Sequence, residues 1–185
     1  RIGSLENSDK VVAEAAAMIR NGEVEQGQIT KTVLVIDEAQ DMDEHEFSLI
    51  EALMERNDEL HVIAVGDDDQ NIYQFRGSDS KYFYSLIQKY HAVQYDLLEN
   101  YRSDRKIIDF ANLFVQSLSN RMKNQPVLAV KETSGTVKLI QHQSQNLESA
   151  VVVDMLESRK GTTCILTGTN QQALCIMGIL MQKNI

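Results

Sequence analysis

The chain has 185 residues, 43% hydrophobic and 24% charged, enough to bury a core in one domain or two small ones. No run in these residues approaches the ~18 apolar residues of a membrane span and no secretory leader is expected, and the two cysteines, in apolar surroundings, are those expected of a cytosolic protein. The net charge of −9 is uneven: fifteen acids and five bases fall in the first 60 residues and the rest is near neutral, so the acidic total does not exclude a local groove for nucleic acid.

Residues 9–20 (DKVVAEAAAMIR) predict an alanine-rich helix stopped by Asn21-Gly22. Val33, Leu34, Val35 and Ile36 predict a strand buried on both faces of a parallel sheet, and it runs into Asp37, Glu38 and Asp41. Carboxylates at that end stand where open α/β sheets bind ligands. An Asp there can hold Mg²⁺ on a nucleotide, and the next Glu can activate water. The plainer alternative is an acidic helix start.

Residues 43–56 place Phe47, Ile50, Leu53 and Met54 at helical spacing behind Asp43, and residues 61–65 (HVIAV) read as a second buried strand. Residues 80–90 predict a short helix and 92–97 a third strand. Ser103 is placed to cap a helix over 104–121, with Ile107, Ile108, Phe110, Ala111, Phe114 and Leu118 inward. After Pro126 the pattern restarts: strand 136–141, helix 146–158 with Val151, Val152, Met155 and Leu156 inward, strand 163–167, and helix 170–182. Strands alternating with helices mean α/β with a mainly parallel sheet. Cys164 and Cys175 read as reduced core residues, and the four histidines form no metal-binding set.

Two further segments carry chemistry. Asp67, Asp68 and Asp69 repel one another unless hydrogen bonds or a cation offset them. They are followed by Gln70, whose amide could sense a phosphate or a water, and by Tyr73, Phe75 and Arg76. Aromatic faces stack on bases and Arg grips phosphate in a fork, although the rings could instead be tucked into the core. Tyr101 and Arg102 lie between a strand and a capped helix, where they can face a ligand across a cleft; pairing of Arg102 with Glu99 or Asp104 is the ordinary alternative.

DEAQD (Asp37 to Asp41), GDDDQNIYQFRGS (Gly66 to Ser78) and ENYRS (Glu99 to Ser103) together closely resemble superfamily 1 DNA helicases of the UvrD/Rep type. They match, in order, that family's Walker B motif, third motif and the start of its fourth. The likeness is clear over about residues 30–115 and weaker beyond. It implies two RecA-like domains, both incomplete here: the back of the first over 1–93 and the front of the second over 94–185. It further implies an enzyme that clamps ATP between those domains, binds single-stranded or partly duplex DNA, moves along the single strand, usually 3′ to 5′, and unwinds duplexes.

By that resemblance Asp37 holds Mg²⁺, Glu38 orients and deprotonates the attacking water, and Gln70 senses the γ-phosphate. Gln40 helps bridge the phosphate and DNA sites. Tyr73, Phe75 and Arg76 touch the single strand, Phe75 standing where many members have tryptophan. Tyr101 stacks on adenine, and Arg102 reaches the same crevice as an arginine finger.

A phosphate-cradling GxxxxGK[ST] loop is missing: Gly22 and Gly27 have its spacing, but Gln28 occupies the lysine position and Lys31-Thr32 precedes a strand. The family's early glutamine segment and late arginine motifs are also absent. The chain, which starts at Arg1, is therefore expected to be a piece of a longer helicase and inactive alone. Two other classes compete: a non-catalytic regulatory or scaffolding module, and a metal-dependent nuclease or polymerase using Asp67 to Asp69 with Asp37.

Overall fold

The computed structural model describes residues 5–73, 75, 77–119, 121–141, 147–158 and 161–184. The chain gathers into two compact units, residues 1–136 and residues 137–185. Both belong to a mixed α/β chain whose strand pairs are parallel, as expected.

In the first unit, β1 (Val33–Ile36) lies parallel to β2 (His61–Ala64), with Val33 opposite His61 and Ile36 opposite Ala64. The connection between them is α2 (Glu44–Arg56). Its start is fixed reciprocally: the Asp43 carboxylate accepts from the Glu46 amide at 2.9 Å, and the Glu46 carboxylate accepts from the Asp43 amide at 3.2 Å. Such a cap contributes about 1 kcal/mol.

Helix α2 buries two faces. Phe47 and Ile50 pack with Leu86 of α3 (Ser80–Gln88) and with Leu34 and Ile36 of β1. Ala52 packs on Ala16 and Ile19 of α1 (Leu5–Asn21), with Leu53 against that second cluster. Among the described residues the sheet is covered on this side only. Val33, Val35 and Ile63 are exposed, so the expectation of strands buried on both faces is corrected.

A second parallel pair joins β3 (Glu99–Asn100) to β4 (Leu128–Ala129). The expected strand at 92–97 is not one. Hydrogen bonding fixes the ladder further on, where Leu128 N–H donates to the Leu98 carbonyl at 2.7 Å and Val130 N–H to the Asn100 carbonyl at 3.0 Å. A strand forms where backbone groups find partners, whatever the side-chain pattern.

Helix α4 (Arg105–Val115) starts at Asp104 rather than with a Ser103 cap. Its first amides are satisfied from a distance: Arg105 N–H donates to the Thr133 carbonyl and Lys106 N–H to the Ser134 carbonyl, at 3.2 and 2.9 Å. It is also shorter than predicted. Of the residues expected inward, Ile108 is buried while Ile107, Phe110, Phe114 and Leu118 are exposed.

The second unit contains α5 (Leu147–Ser158) and α6 (Asn170–Gln182), the latter capped by the Thr169 hydroxyl accepting from Gln172 N–H at 3.3 Å. Val152 and Ile176 are its buried side chains among the described residues, and Val151, Met155 and Leu156 are half-buried as expected of an inward face. Residues 136–141 and 163–167 form no ladder, because among the described residues no neighbouring strand takes their amides. Cys164 and Cys175 are free thiols but exposed, which corrects their placement in the core. Among the described residues no helix is long and apolar enough to cross a membrane.

Candidate functional site

The site is built at the carboxyl ends of β1 and β2. Asp37 is exposed there, and its Oδ1 accepts from the Glu38 amide at 3.0 Å. Glu38 takes a left-handed backbone conformation, φ 51° and ψ 43°, which turns the chain sharply into a 3₁₀ turn over Ala39–Asp41. Two bonds lock the strand ends together: Val65 N–H to the Ile36 carbonyl at 2.8 Å, and Ala39 N–H to the Val65 carbonyl at 2.9 Å.

Gln40 is the largest fully buried polar side chain among the described residues, 2% exposed. Its Nε2 donates to Glu38 Oε2 at 2.8 Å, and its Oε1 accepts from the Asp67 amide at 2.9 Å. Its carbonyl accepts from Asn71 Nδ2 at 2.9 Å. One amide therefore ties the Glu38 carboxylate to the loop after β2.

That tie requires glycine at position 66. A Cβ there would lie 2.6 Å from Gln40 Oε1 and 3.0 Å from the Ala39 amide nitrogen. Gly66→Ala is expected to destabilise the first unit by about 1–3 kcal/mol, as overpacking does, and to detach Gln40 from Asp67. A urea midpoint measures the first effect, and faster hydrogen exchange at the Asp67 amide reports the second.

The loop after β2 turns through a 3₁₀ segment, Asp68–Gln70. Its carboxylates are not left to repel one another. Arg121 grips Asp69 in a fork, Nε to Oδ1 and Nη2 to Oδ2, both at 2.7 Å. Lys123 Nζ bonds Asp67 Oδ1 and lies 3.4 Å from Asp69 Oδ2. Met122 N–H donates to Asp68 Oδ2 at 2.6 Å.

The Arg121 fork holds the Asp69 carboxyl below its ordinary range, against the opposing pull of burial. Burial lowers the Lys123 ammonium, but its bond to Asp67 and the field of the three aspartates outweigh that and raise it. Gln70 is exposed and its Nε2 donates to Asp67 Oδ2 at 2.6 Å. Hydrogen bonds thus run unbroken from Glu38 through Gln40 and Asp67 to Gln70. Four residues singled out in two separate motifs share one network.

Asp41 closes the turn beneath. Its Oδ1 is buried without a hydrogen-bond partner among the described residues, and burial, then the neighbouring Glu38 charge, push its carboxyl above the usual range. Asp37 suits Mg²⁺: its carboxylate is exposed at a strand end, and Mg²⁺ commonly keeps its waters while taking one or two carboxylates plus substrate phosphates. No group of three or more His, Cys, Asp or Glu that could hold a metal occurs among the described residues. With all three loop aspartates bonded to cations or backbone, the two-metal nuclease alternative has no support.

Tyr73 and Phe75 project from the same loop, their ring centroids 6.2 Å apart and the planes inclined by 51°. Phe75 is 79% exposed and Tyr73 39%, so neither is a core ring. Arg76 lies outside the described residues. Tyr101 is exposed beside β3, its hydroxyl donating to Glu99, and that bond raises the phenol. Arg102 is exposed, and its amide donates to Asn100 Oδ1 at 3.0 Å. Among the described residues its guanidinium has no ion pair: Glu99 is engaged by Tyr101 and Asp104 by Thr133. No bond among the described residues joins Tyr101 or Arg102 to the Glu38–Gln70 network.

Sequence reasoning missed Arg121, Lys123 and Asn71. The signal for the first two was Arg-x-Lys in a neutral stretch, the charge complement of the aspartate run. In the second unit an apolar groove is lined by Met155, Ile165, Ile176 and Leu180 with no charged side chain, so it offers no candidate chemistry.

Residues 9–91 match the model of the UvrD/REP helicase N-terminal domain, and residues 95–185 that of the UvrD-like helicase C-terminal domain. The chain is 40% identical over 87 residues to ATP-dependent DNA helicase PcrA of Bacillus subtilis, covering 46% of this chain and 12% of that protein. It is 34% identical over 113 residues to ATP-dependent DNA helicase Rep of Salmonella typhimurium, covering 60% and 16%. It is 29% identical over 157 residues to PcrA of Staphylococcus epidermidis, covering 81% and 21%. The chain spans less than a quarter of the length of each of these relatives. By its two family matches and the motifs that its strand ends carry, the chain belongs to the UvrD/Rep-type helicase family.

Proposed function

We propose that this chain is part of an ATP-dependent DNA helicase that couples ATP hydrolysis to movement along single-stranded DNA, 3′ to 5′, and so unwinds duplexes. The observation that carries the reading is the bonded chain Glu38–Gln40–Asp67–Gln70. It gives a water-activating acid and a phosphate-sensing amide a common scaffold. On this reading residues 1–93 and 94–185 are portions of two RecA-like lobes. ATP and Mg²⁺ occupy the cleft between the lobes in the whole enzyme.

In that mechanism Asp37 would hold Mg²⁺, which offsets charge on the nucleotide's phosphates. Glu38, fixed by Gln40, orients water and accepts its proton. Gln70 keeps a second N–H and its Oε1 for the γ-phosphate or a water while its first N–H stays on Asp67. Loss of that contact passes along two short paths: to Glu38 through Gln40, and to the aromatic loop through Asn71, which bonds the Gln40 carbonyl. Tyr73, Phe75 and Arg76 hold the single strand by stacking and charge. Tyr101 stacks on adenine and Arg102 meets charge developing on the transferred phosphoryl group.

The test compares the complete protein that carries this chain with residues 1–185 alone. The complete protein is expected to show ATPase stimulated by single-stranded DNA and to open a duplex with a 3′ tail in preference to a 5′ tail. The 185-residue chain, without a phosphate-cradling loop, is expected to do neither. A complete protein that binds DNA but never hydrolyses ATP would favour the scaffolding alternative, and DNA-stimulated ATPase from the short chain would refute the expected division of labour.

A further inference from the structure

We propose that Lys123 and Arg121 are positioning residues for Gln70, acting through Asp67 and Asp69. The inference rests on the reading of Gln70 as the phosphate sensor. Gln70 ends a three-residue 3₁₀ turn and is itself exposed, so little packing restrains its side chain. Its side-chain anchor is Asp67 Oδ2, at 2.6 Å. The orientation of that carboxylate is set from its other oxygen, Oδ1, which accepts from Lys123 Nζ and from the Asp69 amide at 3.3 Å.

Asp69 is held in turn by the Arg121 fork. The Lys123 and Arg121 side chains are 17% and 20% exposed and Asp69 9%, so bulk salt screens these bonds weakly. Removing either cation leaves three consecutive carboxylates facing one another with too little compensation, and the turn that presents Gln70 loses its template. The two cations come from a segment more than fifty residues downstream, after α4, so the reach of the sensor is set from outside its own motif.

Two measurements test this. In the complete protein, Lys123→Ala is expected to lower DNA-stimulated kcat by roughly ten- to a hundredfold, the scale of a displaced catalytic group, with KM for ATP unchanged and with Lys123→Arg largely active. In a Gln70→Ala background the same Lys123→Ala change is expected to add nothing, because its route is already cut. An equal further loss in that background would overturn the proposal. Should Gln70→Ala leave turnover intact, the sensor reading itself fails, and that result is separate. In the 185-residue chain, Lys123→Ala should speed amide exchange at Gln70, whose N–H donates to the Asp67 carbonyl, while α1 and α2 keep their protection. Unchanged exchange at Gln70 would show that Lys123 does not organise the turn, and would overturn the proposal whatever the fate of the sensor reading.

Discussion

Glu38→Gln in the complete protein is expected to lower DNA-stimulated ATP hydrolysis by roughly 10²–10⁴-fold, the usual worth of a general base, while nucleotide still binds. The substitution keeps size and shape. Gln40 Nε2 donates to Glu38 Oε2, and an amide oxygen at the same place still accepts that bond, though without the charge that strengthens it. What is lost is the ability to take a proton. Removing the charge also relieves its repulsion of Asp41, so folding stability should not fall. Single-turnover hydrolysis together with binding of a fluorescent nucleotide separates the outcomes. Normal turnover in the variant would remove Glu38 from the chemistry, and loss of nucleotide binding would make its role structural.

Arg102→Ala is expected to reduce kcat by about 10³-fold or more, the range seen for arginine fingers, with Arg102→Lys a poor substitute because the planar fork is gone. The structure separates this loss from a folding defect. The two nearby carboxylates that could have neutralised Arg102 are engaged, Glu99 by Tyr101 and Asp104 by Thr133. An exposed side chain with no ion pair among the described residues can be truncated within about 0.5 kcal/mol. Thermal melting should therefore be unchanged while turnover collapses. A variant that melts early yet turns over normally would identify Arg102 as a surface stabiliser.

The sequence makes local structure legible where its signals act over a few residues. The run Val33 to Ile36 is a strand with those bounds, Asp43 caps α2, and Phe47 and Ile50 face the core. Features that depend on distant partners are not legible in it. The alternation at 136–141 and the apolar run at 163–167 look like strands but have, among the described residues, no neighbour to complete a ladder. The apolar positions of α4 have the right spacing, yet Phe110 and Phe114 remain exposed. Within the site, the acids and amides announced themselves by motif. Their connections did not: that Gln40 joins Glu38 to Asp67, and that Arg121 and Lys123 offset the aspartates, depends on tertiary approach that no spacing encodes.

The backbone at Glu38 sits in a region that an L side chain enters at about 1–2 kcal/mol and that glycine enters freely. A sequence chosen for endurance alone would place glycine there. The carboxylate is thus carried on a bent spring: substitutions that relax this turn should toughen the protein against heat while blunting its turnover, and screens for thermal resilience will tend to drift toward catalytically silent forms at this position.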